Sequence, residues 1–130
     1  MATIFSKIIK GEIPSYKIFE DEQFYAFLDI SPMTKGHTLV IPKKEVDYLF
    51  DIDDTTLSKM MLVSKKIALA IEKSIECTRV GMMVVGLEVP HAHIHLIPIQ
   101  TEQDMNLANN RLELSNEEFE KIAEDIVSFL

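Results

Sequence analysis

The stretch PHAHIHLIP, residues 90–98, sets His91, His93 and His95 at every second position. In an extended chain alternate side chains share a face, so these imidazoles line one face while Ala92, Ile94 and Leu96 take the other. The whole chain holds only four histidines, and Val or Thr would make a better strand at these positions. Three solvated histidines on a polar sheet face are the plain alternative, but that leaves their choice over apolar residues unexplained. An imidazole can ligate a metal, attack as a nucleophile, move a proton or donate a hydrogen bond, all near neutral pH.

Two chemistries fit the pattern. In the first, the His91/His93/His95 cluster binds zinc and the protein is a metal-dependent hydrolase. Neighbours two residues apart on a strand lie roughly 6–7 Å apart at the backbone, so two chelate easily whereas three spread along an edge. In the second, the middle imidazole attacks, and its neighbours orient it, donate to an anionic oxygen or protonate the leaving group.

The rest of the chain bounds the setting. Its 130 residues, 47% apolar, predict a single domain over 1–130 with its own core. A formal charge of −8 argues against binding nucleic acid or an anionic membrane, while leaving room for a small anion held by local donors. MATIFSKIIKGEIP lacks a long apolar segment and later apolar runs are too short to span a bilayer, so a cytoplasmic protein is expected. Cys77 is the single cysteine and reads as a small core residue; Met60, Met61, Met82 and Met83 read as core filling.

Hydrophobic spacing supplies the elements. Ile4, Phe5, Ile8 and Ile9 predict a short helix stopped at Gly11, and YKIFE, QFYAFLDI and HTLVIP predict an antiparallel meander. From Asp53 the period becomes 3.6, with Leu57, Met60, Met61, Ile67, Ala68 and Ile71 on one stripe of a long crossing helix. RVGMMVV and HAHIHLIPI predict two more strands, TEQDMNLANN a loop, and Ser115 opens a capped helix over about 115–129. Strands in series with helices to one side make the fold α+β, a five-stranded antiparallel sheet.

HAHIHLIP resembles the H-φ-H-φ-H-φ-φ motif of the histidine triad (HIT) family of nucleotide hydrolases and transferases. IFSKIIKGEIPSYKIFEDE and AFLDISPMTKGHTLVIPKK are similar to that family's N-terminal half, so the resemblance runs from Thr3 to Pro98. It is nearest the small nucleoside phosphoramidase branch. That resemblance implies a HIT-like α+β fold, a homodimer joined through its sheets and a purine nucleotide substrate; no cofactor and no metal are expected for this chain. It also implies that His93 attacks the α-phosphorus to form a nucleotidyl-histidine, and that His95 serves the phosphate and leaving-group side. His91 and His37 would stand behind as hydrogen-bonded support. Asp29 would bind the ribose hydroxyls, which one carboxylate can accept from together. Ile8, Phe27 and Ile30 would line the base pocket. Failing catalysis, a nucleotide-binding dimer is the remaining alternative.

The chain departs from the family pattern in two places. Thr3 and Ser6 stand where many bacterial members carry a zinc-binding C-x-x-C, and Glu45 falls near a further family histidine. The loop before the triad is trimmed to Gly86-Leu87-Glu88-Val89-Pro90, with Leu87 at the place of a phosphate-contacting glutamine. Glu88 matches a position whose hydroxyl and backbone N–H meet the phosphate; the N–H survives the change, but the carboxylate repels an anion.

Overall fold

The computed structural model describes residues 3–130. Helix α1 is Ile4–Ile9, and its reciprocal cap is built from Thr3 and Ser6: the Ser6 N–H donates to the Thr3 hydroxyl and the Thr3 N–H to the Ser6 hydroxyl. Gly11, at φ +80°, turns the chain out of the helix. Strands β1 (Lys17–Glu20), β2 (Phe24–Leu28) and β3 (Thr38–Pro42) form the expected antiparallel meander. Asp53 caps helix α2 (Asp54–Ser74), which leads to β4 (Arg79–Met83) and β5 (Ile94–Ile99). Helix α3 is Asn116–Val127, opened by the Ser115–Glu118 capping box. All five strands join one antiparallel sheet in the order β1-β2-β3-β5-β4, so the α+β architecture read from the sequence is the one adopted.

Period-two alternation divides the sheet between core and site. Ile94 and Leu96 turn to the face covered by α2 and α3, where they pack with Phe24, Leu28 and Val40. Each is at most 2% exposed, and burying such a side chain contributes about 1.5–3 kcal/mol. The opposite face of β2 and β3 carries Tyr25, Phe27, Leu39 and Ile41, which pack against Phe5 and Ile8 of α1. His95 pairs with Leu39 across the β3–β5 ladder and therefore shares this second face.

The structure corrects the reading in several details. The strand expected from His91 begins only at Ile94. Pro42 ends β3, and the Ala92 N–H turns instead to the Val46 carbonyl at 2.7 Å, so His91–His93 is held outside the ladder. Strand β2 stops at Leu28, leaving Asp29 and Ile30 in the following turn, and β4 stops at Met83. Met61, expected on the buried stripe, is 48% exposed. The seam of α2 is Met60, Ser64, Ile67 and Ile71, spaced four, three and four residues apart, and Met61 lies about 100° off it. Cys77 is half-buried rather than in the core. Gly36 adopts φ +97° where a Cβ would strike the Ile75 side chain, so glycine is required in the turn that delivers His37.

Candidate active site

Each of the four histidines is held by a group that fixes where its proton sits. The His93 Nδ1 lies 2.8 Å from the His91 carbonyl, which can only accept, so Nδ1 carries the hydrogen and Nε2 keeps a free lone pair. The same reasoning at His91 puts its hydrogen on Nε2, 2.7 Å from the Pro42 carbonyl. His91 Nδ1 then accepts from the Thr3 hydroxyl at 3.1 Å. Thus Thr3 caps α1 and orients the fully buried His91 with one hydroxyl group.

A second chain of bonds fixes His95. The Met33 N–H donates to His37 Nδ1 at 3.0 Å, which leaves the His37 hydrogen on Nε2. That Nε2–H donates to His95 Nδ1 at 2.9 Å, and the His95 hydrogen is therefore on Nε2. The result is an unprotonated Nε2 on His93 beside an N–H donor on His95, with ring centroids 4.9 Å apart. Phe5 of α1 meets the His93 ring edge-on at 5.0 Å and shields its apolar side.

Burial favours the neutral forms of His37, His95 and His91. It pushes His37 down to about 3, helped by the charge of His95, Arg111 and His93. Burial pushes His95 to about 4, again helped by His93 and Arg111, and it lowers His91 as well. Desolvation by burial raises the Asp29 carboxyl, against the Ser31 N–H that donates to it at 2.8 Å.

A stability test follows from His37, whose side chain is fully buried. Its folded pKa lies below its unfolded value near 6.5, so the unfolded chain binds the extra proton; stability is complete above about pH 6.5 and declines as pH falls toward 3. Urea denaturation should show a loss of about 2 kcal/mol from this group between pH 7 and pH 5. A His37→Gln variant should lack that increment; an identical pH slope in both proteins refutes the assignment.

Residues Val85–Glu88, His93, His95, Leu107 and Arg111 enclose a cavity of about 170 Å³. Of the residues singled out from the sequence, His93, His95, Leu87 and Glu88 line it, while His37 and His91 stand behind their partners. Asp29 Oδ2 lies 3.6 Å from His37 Nε2. Ile8 and Phe27 are buried in the cluster beneath α1, and Ile30 is 69% exposed on the turn after β2. Sequence reasoning missed Arg111 and Leu107. The one available signal was that no Lys or Arg occurs between Arg79 and Arg111.

The geometry also answers the zinc alternative. Both nitrogens of His91 are engaged, by Pro42 and Thr3, so the His91/His93/His95 set cannot converge on one ion. Among the described residues, the donor atoms that do converge are those of Asp29, His37 and His95, within 4.8 Å of one another, and two of these residues already bond each other.

An antiparallel sheet thus sets a free imidazole nitrogen beside an imidazole N–H at one cavity, an arrangement able to attack a polar centre and to donate to it. A family profile of the HIT domain matches residues 10–102, and the chain belongs to the HIT family. It is 43% identical over 103 residues to the adenosine 5'-monophosphoramidase of Saccharomyces cerevisiae, covering 78% of this chain and 65% of that one. Identity to the adenosine 5'-monophosphoramidase of Schizosaccharomyces pombe is 33% over 130 residues, 98% of each chain. A crystal structure of a Hit-like protein involved in cell-cycle regulation from Bartonella henselae superposes with a TM-score of 0.87 at 36% identity, covering 98% of this chain and 96% of that one.

Proposed function

We propose that this protein is a nucleotidyl hydrolase or transferase that releases a nucleoside monophosphate from a purine nucleoside phosphoramidate or related conjugate. The observation that carries the proposal is the free Nε2 lone pair of His93, set by the His91 carbonyl on a residue that lines the cavity. In the first step a bond forms from Nε2 to the α-phosphorus while the P–N bond breaks, and the nitrogen departs as ammonia or an amine after taking a proton from solvent. Water then attacks phosphorus and returns a proton to solvent, the N–P bond breaks with its electron pair going back to Nε2, and the monophosphate leaves with His93 restored. The His95 Nε2–H donates to the phosphoryl or leaving atom, and His37 and His91 hold the tautomers. Asp29 takes the ribose hydroxyls; Ile8, Phe27 and Ile30 form the apolar side for the base; Leu87 and Glu88 border the phosphate.

Incubation with adenosine phosphoramidate tests this directly, with AMP release as the supporting result. AMP binding without turnover of any nucleotidyl substrate favours a non-catalytic nucleotide-binding dimer instead. Leu87 and the Glu88 carboxylate on the cavity wall are what give that second reading weight.

The homodimer is part of the same proposal. Strand β4 is a sheet edge, and Met82, Val84 and Val85 along and beyond it are 41%, 38% and 42% exposed. Met61, Leu62 and Leu69 are exposed on α2, which packs over that edge. A second copy that continues the sheet would cover both sets. Sedimentation at micromolar concentration should give a dimer; a monomer contradicts it. No helix among the described residues is long and apolar enough to cross a membrane. A cytoplasmic location suits a nucleotide substrate and an unpaired cysteine.

A further inference from the structure

A phosphate in this cavity would call for a fixed cation. His37 and His95 are neutral, and Glu88 adds a carboxylate to the wall. Arg111 is the one Lys or Arg that borders this cavity among the described residues. Its position is fixed at both ends of the segment that carries it. After β5 the chain makes a short 3-10 turn, Glu102–Met105, and Met105 seats its sulfur on Gly81 of β4, where no Cβ would fit. The segment then crosses to the turn after β2, where the Leu112 N–H donates to the Pro32 carbonyl at 2.9 Å and Arg111 Nη1 to the Ser31 carbonyl at 3.0 Å.

That anchor uses one of five guanidinium N–H donors, and Arg111 forms no salt bridge among the described residues. A fixed guanidinium with open donors suits a tetrahedral oxyanion, to which it presents a fork of parallel bonds. We propose that Arg111 binds the non-bridging oxygens of the substrate phosphate, in the role left open by Leu87 and opposed by Glu88. The assignment rests on the nucleotidyl-transfer reading for the identity of the anion. It makes the segment 106–112 part of the active site rather than a plain connector.

Calorimetric titration of wild type, Arg111→Gln and Arg111→Lys with AMP, adenosine and inorganic phosphate tests it. Arg111 is exposed, and the backbone bond from the Leu112 N–H to the Pro32 carbonyl holds the segment without its side chain, so the fold and the tether should survive. Arg111→Gln should weaken AMP and phosphate binding by about tenfold to a hundredfold, leave adenosine unchanged, and be partly rescued by Arg111→Lys. Equal loss for AMP and adenosine means the arginine merely holds the segment, and unchanged AMP affinity in Arg111→Gln means it touches no phosphate; either overturns the proposal while leaving the nucleotide reading intact. Arg111-dependent phosphate binding in a wild type that ignores both AMP and adenosine does the reverse, keeping the anion site and removing the nucleotide.

Discussion

His93→Ala is expected to lower AMP release from adenosine phosphoramidate on the order of 10⁴- to 10⁶-fold, the scale of loss when a covalent nucleophile is removed. No other group can take over. His91 has both nitrogens engaged, His37 is buried behind His95, and the His95 nitrogen on the cavity side carries a hydrogen rather than a lone pair. The side chain lost is a buried ring packed edge-on to Phe5, so some stability is lost too. Retained AMP binding separates a chemical defect from an unfolded one. Equal turnover by variant and wild type excludes His93 as the nucleophile.

His95→Phe should slow the first step by about two to three orders of magnitude, because one preorganised donor aimed at a developing charge is removed. The more informative variant is His95→Gln. With His95 held near pKa 4 by burial, it is a neutral N–H donor at pH 7 and not a charged acid. Glutamine also offers an N–H, and its carbonyl can accept from His37 in place of Nδ1. Rapid-quench rates for His95→Gln should therefore recover a substantial part of the activity that phenylalanine loses. If glutamine is as slow as phenylalanine, a proton delivered by His95 is required and the neutral-donor role is wrong.

Much of this was legible in the sequence because periodicity is local. The meander, the capped helices and the sheet-facing histidine follow from alternation, helical spacing and turn residues within a few positions. What the sequence could not convey is what closes over long distances. Nothing local says that Thr3 bonds His91 across 88 positions, or that His37 meets His95 across 58. Resemblance alone brought His37 forward. The strand starts later than alternation predicts for a similar reason, since its start depends on Pro42 ending β3 and on the Val46 carbonyl capturing the Ala92 N–H. Thr3 and Ser6 form a helix cap, and the Thr3 hydroxyl of that cap also bonds a triad imidazole, a double use that no local pattern signals. Arg111 was hidden because a polar loop has no periodicity, and its place depends on backbone bonds to Ser31 and Pro32.

The covalent intermediate is the centre of this account, and trapping it is the most direct test. Wild-type enzyme mixed with excess adenosine phosphoramidate, quenched within one turnover and digested, should yield a peptide containing residues 91–95 that carries an adenylyl group on His93. Stability of the adduct to base and lability to acid would mark it as a phosphorus–nitrogen bond to imidazole. Full AMP release in the same time course, with the peptide unmodified at every quench point and oxygen from labelled water incorporated by direct attack, would contradict it.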